Sequence, residues 1–384
     1  MIKKLKLYIS NPKHMAVGLC FLLLSTLFAL WITRIPEVKN TLGLSEGDLG
    51  SALFFTPLGA IISMLLSSNL IKWKGEGRST ILALIFFGVT MVTPLFAYDF
   101  ITLCVALFLV GFSMGWVDIS MNAVANTIEK EDGVKIMSTS HGFFSLGGII
   151  GGTIGGILAG LKSDGMIQMI AAFVVLVIIV LMVISPKIRH INDDSNKEGH
   201  VIFSFPGKSL IGLAVIAFCI MLGEGAITDW STVYLSNNLS SGPALAGFGF
   251  AAFSATMTIG RFNGDYMIEK FTSGTVVKAG LVIAFAGLLL LFAKSIALAL
   301  LGFAMIGFGY STVIPILFTQ ASKREDVSPA RGLASVATLG YFGFLLGPVI
   351  IGWTAEIIGL TLSFGILAAL TLVAFMVVIR KTSV

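Results

Sequence analysis

Charge is what this chain has least of. Only 12% of its 384 residues are Asp, Glu, Lys or Arg, against the roughly 25% with which a soluble domain covers its surface. Twenty-five basic and twenty acidic side chains cannot coat a water-facing protein of 40.7 kDa, so a soluble globule is excluded. Cysteine is scarcer still. Cys20, Cys104 and Cys219 lie far apart inside apolar runs, which excludes a disulfide framework or cysteine metal spacing and leaves them packing roles. The chain also lacks a nucleophile elbow, a phosphate loop, a metal-ligand cluster and a haem pair, and its polar segments are too short for a catalytic or nucleotide-binding domain. No cofactor and no metal are expected, and neither an enzyme nor an ATP-driven pump. The net charge of +5 comes without basic clusters interleaved with aromatics, so nucleic acid is not an expected partner.

What is present is apolar. Hydrophobic residues make up 56% of the chain, 30 of them Phe, and the mean hydropathy is +0.96. Apolar stretches fall near 15-35, 48-71, 79-97, 101-125, 137-160, 167-185, 208-231, 244-262, 275-293, 296-319, 332-354 and 361-379. About 20 such residues span a bilayer as a helix, and the runs are continuous where a membrane barrel would alternate. The fold class is therefore an all-α integral membrane protein with twelve transmembrane helices. The N-terminal Met1-Ile-Lys-Lys-Leu-Lys looks like the basic start of a signal peptide, but the apolar run after it is too long and has no small-residue cleavage box. It reads as the first membrane helix.

Basic residues set the orientation. With the N-terminus inside, 21 Lys and Arg fall on cytoplasmic loops and ends, against Arg34, Lys39, Lys162 and Lys294 outside. Such a bias places both termini and the polar stretch near 185-208 in the cytoplasm. The chain also repeats itself. At an offset of 196, Gly111-Phe112 falls on Gly307-Phe308, and Gly147, Gly151 and Gly156 fall on Gly343, Gly347 and Gly352. The expected organisation is an N-terminal six-helix bundle over 1-185, a cytoplasmic linker over 186-207 and a C-terminal six-helix bundle over 208-384. Two parallel six-helix repeats describe an alternating-access transporter with its site near mid-membrane.

Several motifs carry a family resemblance over essentially the whole chain: Gly115-Trp-Val-Asp-Ile-Ser-Met-Asn-Ala-Val-Ala-Asn126, His141-Gly-Phe-Phe-Ser-Leu-Gly-Gly148, Gly225-Ala-Ile-Thr-Asp-Trp230 and Gly260-Arg-Phe-Asn-Gly-Asp265. In these the chain resembles the major facilitator superfamily, within it the fucose-permease-like branch, and most closely the bacterial YbjJ-like membrane proteins. The resemblance implies a monomeric secondary transporter in the bacterial cytoplasmic (inner) membrane, with protons, a small-molecule solute and the lipid bilayer as partners. It implies a cytoplasmic latch at Gly260, Arg261, Gly264, Asp265 and Lys270, whose first-half copy has lost its acid at Asn69. Arg261 and Asp265, four apart, share a helix face where an ion pair can form.

Ionisable groups inside membrane segments mark functional sites and proton relays. Asp118 is the clearest. Gly111, Gly115, Asp118 and Asn122 recur at spacings of four, three and four, lining one helix face with two small and two polar residues, as a lumen requires. Asp118, ahead of Ser120 and Asn122, also matches an acid that handles sugar and proton in the resembled permease, although segment one lacks that permease's second acid. Glu224, near mid-membrane between Gly223 and Gly225, is the second candidate, for proton or solute binding, on a helix its glycines allow to bend. His141, at a depth similar to Asp118, is a further proton-coupling candidate. Asp229 near the outer end of segment seven, and Arg34 closing segment one, are expected in an outer gate. Asn122 and the aromatics Trp31, Trp116, Phe308 and Tyr310 are candidate solute contacts, the rings by stacking. The favoured reading is proton-coupled uptake of a small polar, sugar-like solute. The alternative is a proton-antiport exporter of amphipathic compounds, although the exporters' Gly-Pro ending is missing from segment five and occurs at Gly347-Pro348.

Overall fold

The computed structural model describes residues 8, 10-192, 204-324 and 326-380, and among them the chain is helical without strands. Twelve helices are long and apolar enough to cross a membrane: α1 (Pro12–Thr41), α2 (Glu46–Leu66), α3 (Glu76–Phe96), α4 (Phe100–Asp132), α5 (Met137–Gly160), α6 (Gly165–Ile188), α7 (Ile211–Asn238), α8 (Gly242–Gly264), α9 (Ser273–Ala293), α10 (Ile296–Ser322), α11 (Arg331–Ile358) and α12 (Leu360–Arg380). Local chemistry sets their ends. Asn11 caps α1 ahead of Pro12, Asp99 and Thr102 form a reciprocal capping box on α4, and Gly133 ends that helix at φ 65°. These caps satisfy end amides that have no partner within the helix. Residues 193-203, half of the expected linker's length, lie outside the described residues.

By contacts the chain forms two compact units, Met1–Leu42 with Phe55–Glu198 and Gly43–Phe54 with Gly199–Val384. This differs from the expected division, because residues 43-54 group with the second unit. The reason is local. Helix α2 is interrupted after Leu53 and resumes at Phe55, where Pro57 has no N–H to offer the Leu53 carbonyl. Its first piece then packs along α11 within the second unit: a Cβ on Gly50 would come within 2.9 Å of the Gly352 Cα. The Gly47 amide donates to Glu356 Oε2 at 2.9 Å, and Trp353 Nε1 donates to Ser51 Oγ at 2.8 Å.

Inside each unit the packing repeats. In the first, α1 lies along α5 and the second piece of α2 along α4; in the second, α7 lies along α11 and α8 along α10. Glycine makes the close approach in both. A side chain at Gly147 or Gly151 would strike the carbonyl oxygens of Leu22 or Thr26, and one at Gly343 or Gly347 those of Phe218 or Leu222. The contacted residues are themselves 196 apart, so the repeat read from the glycines extends to what they touch. Close backbone approach gives dispersion contact where lipid offers no hydrophobic drive between helices.

Candidate functional site

In the first unit, the face of α4 predicted to line a lumen divides in two. Gly111 and Gly115 are packing points, where the α2 backbone at Thr56 and Ala60 leaves no room for a Cβ. That corrects their reading as solute-facing small residues. Further along the same face Asp118 is half-buried, and Asn122 Nδ2 donates to its carboxylate Oδ1 at 3.1 Å and to its backbone oxygen at 2.7 Å. Among the described residues Asn122 is the one side chain bonded to Asp118. Trp116, also half-buried, donates from Nε1 to Ser79 Oγ at 2.8 Å. His141 is exposed and meets Phe21 edge-on at a ring-centroid distance of 4.9 Å.

Two of the expected unit-one residues lie in the core. Trp31 is 1% exposed, so both its ring faces are covered by protein. Arg34 is 2% exposed: it donates from Nε to Gln168 Oε1 at 3.0 Å, from a terminal nitrogen to Ser163 Oγ at 3.0 Å, and to Glu37 Oε2 at 2.6 Å. A second short bond joins it to Gln168. These bonds pin the C-terminal end of α1 to α6, as a buried guanidinium requires.

In the second unit, helix α7 is mostly covered, but Glu224 and Asp229 are each partly open, and at a spacing of five they point in different directions around the helix. Arg261 on α8 donates to Glu224 Oε1 at 3.3 Å. The expected Arg261 partner was Asp265, whose side chain lies outside the described residues. Asp229 has no hydrogen-bond partner among the described residues. Tyr310 is 2% exposed, with its hydroxyl 2.6 Å from Thr371 Oγ1, so it is a core contact between α10 and α12. Phe308 is half-buried.

Three polar residues went unnoticed in the sequence. Glu76 at the start of α3 is 3% exposed and accepts from Thr127 Oγ1 at 2.7 Å; its signal was an acid between Gly75 and Gly77. His14 is 3% exposed, with Nε2 2.7 Å from Asp132 Oδ2, tying the start of α1 to the end of α4. Gln168 gave no signal, since an isolated amide in an apolar run has no pattern around it.

The sequence profile of the Major Facilitator Superfamily matches residues 16-324 and 213-383. An uncharacterized MFS-type transporter of Yersinia pestis is 31% identical over 364 residues, covering 94% of this chain and 93% of that one. Membrane protein MosC of Rhizobium meliloti is 31% identical, covering 90% and 84%. Among solved structures, the nucleoside transporter NupG superposes with a TM-score of 0.73 at 15% identity, covering 96% of this chain and 98% of NupG. A bacterial homolog of the human lysosomal transporter Spinster superposes with a TM-score of 0.75 at 15% identity, covering 97% of each chain. At these identities the solved structures carry the architecture and not the solute.

Proposed function

This chain belongs to the Major Facilitator Superfamily, a transporter family and not an enzyme family, and on that premise we propose proton-coupled uptake of a small polar, sugar-like solute by alternating access. The observation that carries the proposal is Asp118. It is an acid inside a membrane span whose bonded side chain is a neutral amide, Asn122. A carboxylate paired to a cation holds its charge; one hydrogen-bonded to an amide can give up or accept a proton without breaking an ion pair. Asn122 keeps a carbonyl oxygen for a hydroxyl-bearing solute. In this reading solute and proton enter together, and the proton leaves Asp118 to the cytoplasm before the empty carrier returns.

The remaining assignments follow from that cycle. His141 and Glu224 are further proton-handling groups, Asn122 with Trp116 and Phe308 contacts the solute, and Arg34, Asp229, Arg261 and Asp265 serve the gates. The protein is a monomer of the fucose-permease-like, YbjJ-like branch in a bacterial inner membrane, with six-helix halves over 1-185 and 208-384 and a cytoplasmic 186-207 linker. The lysine and arginine asymmetry supports that orientation. The test is uptake by purified protein in proteoliposomes, with and without an inward proton gradient, across neutral sugars, sugar acids, nucleosides and amino acids. Accumulation of one polar solute that collapses with the gradient is the expected result; accumulation indifferent to the gradient would overturn proton coupling.

A further inference from the structure

Among the described residues of the second unit, one cation stands within bonding distance of an acid inside a membrane span, and it is poorly used. Arg261 reaches Glu224 through a single nitrogen at 3.3 Å. A guanidinium satisfied by a carboxylate makes two parallel bonds of about 2.7–2.9 Å. Here the contact is long and one-armed, and the side chains are 38% and 21% exposed, so the planar fork keeps donors open. Charges inside a membrane segment face a cavity or a partner, not lipid, and Glu224 is itself partly open on α7. The described residues around the pair add no second cation. On α10, Tyr310 lies against Gly223 with its hydroxyl held by Thr371 on α12. On α11, Phe344 packs at Gly225; on α8, Asn263 Nδ2 is bonded to the Ile259 carbonyl; and Asp229 follows farther along α7. A guanidinium with a loose resident counter-ion is the chemistry that recognises a carboxylate in two-point geometry.

We propose that Arg261, in place of the gate role assigned to it above, is the anion receptor of the solute site and Glu224 its exchangeable counter-ion, so that the solute is a polar hydroxylated molecule bearing one carboxylate, of the sugar-acid class. The inference rests on the transport reading above and sharpens its solute. When the solute carboxylate takes the Arg261 fork, Glu224 accepts one proton from water on the same side. The loaded site then has the same net charge as the empty one, and no charge is left unpaired in the membrane. Lysine cannot replace the receptor, because it offers a point charge and no planar fork.

The test uses matched probes that differ only at the carboxylate: D-glucuronate against D-glucose, D-galacturonate against D-galactose, and D-gluconate against D-sorbitol. Binding to the full-length protein in detergent is followed by thermal shift and titration. At least one acid is expected to bind while its neutral partner does not at the same concentration. Arg261→Lys should weaken that acid about tenfold or more while its ligand-free unfolding temperature stays near the wild type, and Glu224→Gln should retain binding with a weaker dependence on pH. Equal binding of acid and neutral partner, binding undiminished in Arg261→Lys, or binding of none of the three acids would each overturn the inference. Proteoliposome uptake separates the two readings. Gradient-driven accumulation of a neutral sugar would sink the anion receptor and leave proton-coupled uptake standing. Arg261-dependent uptake of an acid that ignores the proton gradient would keep Arg261 as the receptor and overturn both proton coupling and Glu224 as its proton-taking counter-ion.

Discussion

At the offset of 196 the two units place the same backbone contacts and different side-chain chemistry. Gly147 lies on Leu22 as Gly343 lies on Phe218, yet buried Arg34 and Gln168 of the first unit fall on buried Trp230 and on Phe364 of the second. The C-terminal end of α1 is held by a guanidinium network, whereas Trp230 donates to the Pro348 carbonyl at 3.2 Å and Phe364 stacks edge-on to Tyr234. The acids do not repeat either. Asp118 falls on Ile314, and Glu224 falls on Phe28. One unit keeps a carboxylate beside an amide, the other a carboxylate beside a guanidinium. Backbone contact is thus what the duplicated architecture needs twice, while ionisable chemistry is needed once per task.

The strongest test of that asymmetry is Asp118→Asn set against Glu224→Gln. We expect Asp118→Asn to bring gradient-driven accumulation down to the no-gradient control while solute counterflow persists, because the amide keeps shape and loses only the proton. Glu224→Gln should retain solute binding and weaken its dependence on pH, so the two acids differ in which step each one couples to the proton. Full pH-driven accumulation by the Asp118→Asn protein in proteoliposomes would remove Asp118 as an essential proton carrier and end the contrast between the acids.

Next in size is Arg34→Ala. Breaking a buried charge network costs about 3–5 kcal/mol when both ions are sealed from water, and less here because Glu37 stays half in solvent. A loss of about 2–3 kcal/mol is expected, seen as a lower unfolding temperature in detergent. A variant as stable as the wild type would show that the C-terminal end of α1 does not depend on the guanidinium.

The shared seams predict equality where the charges predict difference. Gly147→Ala and Gly343→Ala each push a methyl against a backbone carbonyl, an overpacking cost of about 1–3 kcal/mol. The two losses should agree within about 0.5 kcal/mol, since distant sites act independently. A loss at one position alone, by thermal unfolding, would mean that the repeated contact carries unequal load.

How much of this was legible beforehand depends on periodicity. Helix number, the repeat and the glycine seams came from patterns recurring over many residues, and the family and twelve spans agree with them. Asp118 and Glu224 stood out because an acid in an apolar run is conspicuous on its own. Long-range pairs did not, because hydrogen bonds such as Arg34 to Gln168, or His14 to Asp132, join positions more than a hundred residues apart. Arg261 shows the limit well. Its contact with Glu224 joins α8 to α7, a tertiary contact no local spacing encodes. The break in α2 was available in Pro57, but the partner of its first piece was not.

The smallest predicted effect lies at a helix end where the repeat again diverges. Asp99 caps α4, accepting from Thr102 Oγ1 at 2.6 Å and from the Thr102 amide at 2.8 Å, whereas its counterpart at the offset, Ser295, makes no side-chain cap on α10. The Thr102 hydroxyl, and after it the Thr102 amide, hold the Asp99 carboxyl below its ordinary range. A carboxyl lowered in the folded state contributes stability that is fully present above the unfolded value, near 3.9, and is lost as pH falls through the folded value. Asp99→Ala should therefore lower the unfolding temperature slightly at neutral pH, and the gap to wild type should close in acid below about pH 4. Ser295→Ala should leave the unfolding temperature unchanged at both pH values. A Ser295→Ala loss as large as that of Asp99→Ala at pH 7, or an Asp99→Ala gap that widens in acid, would show that the two helix starts are held alike and that the carboxylate cap is not what distinguishes them.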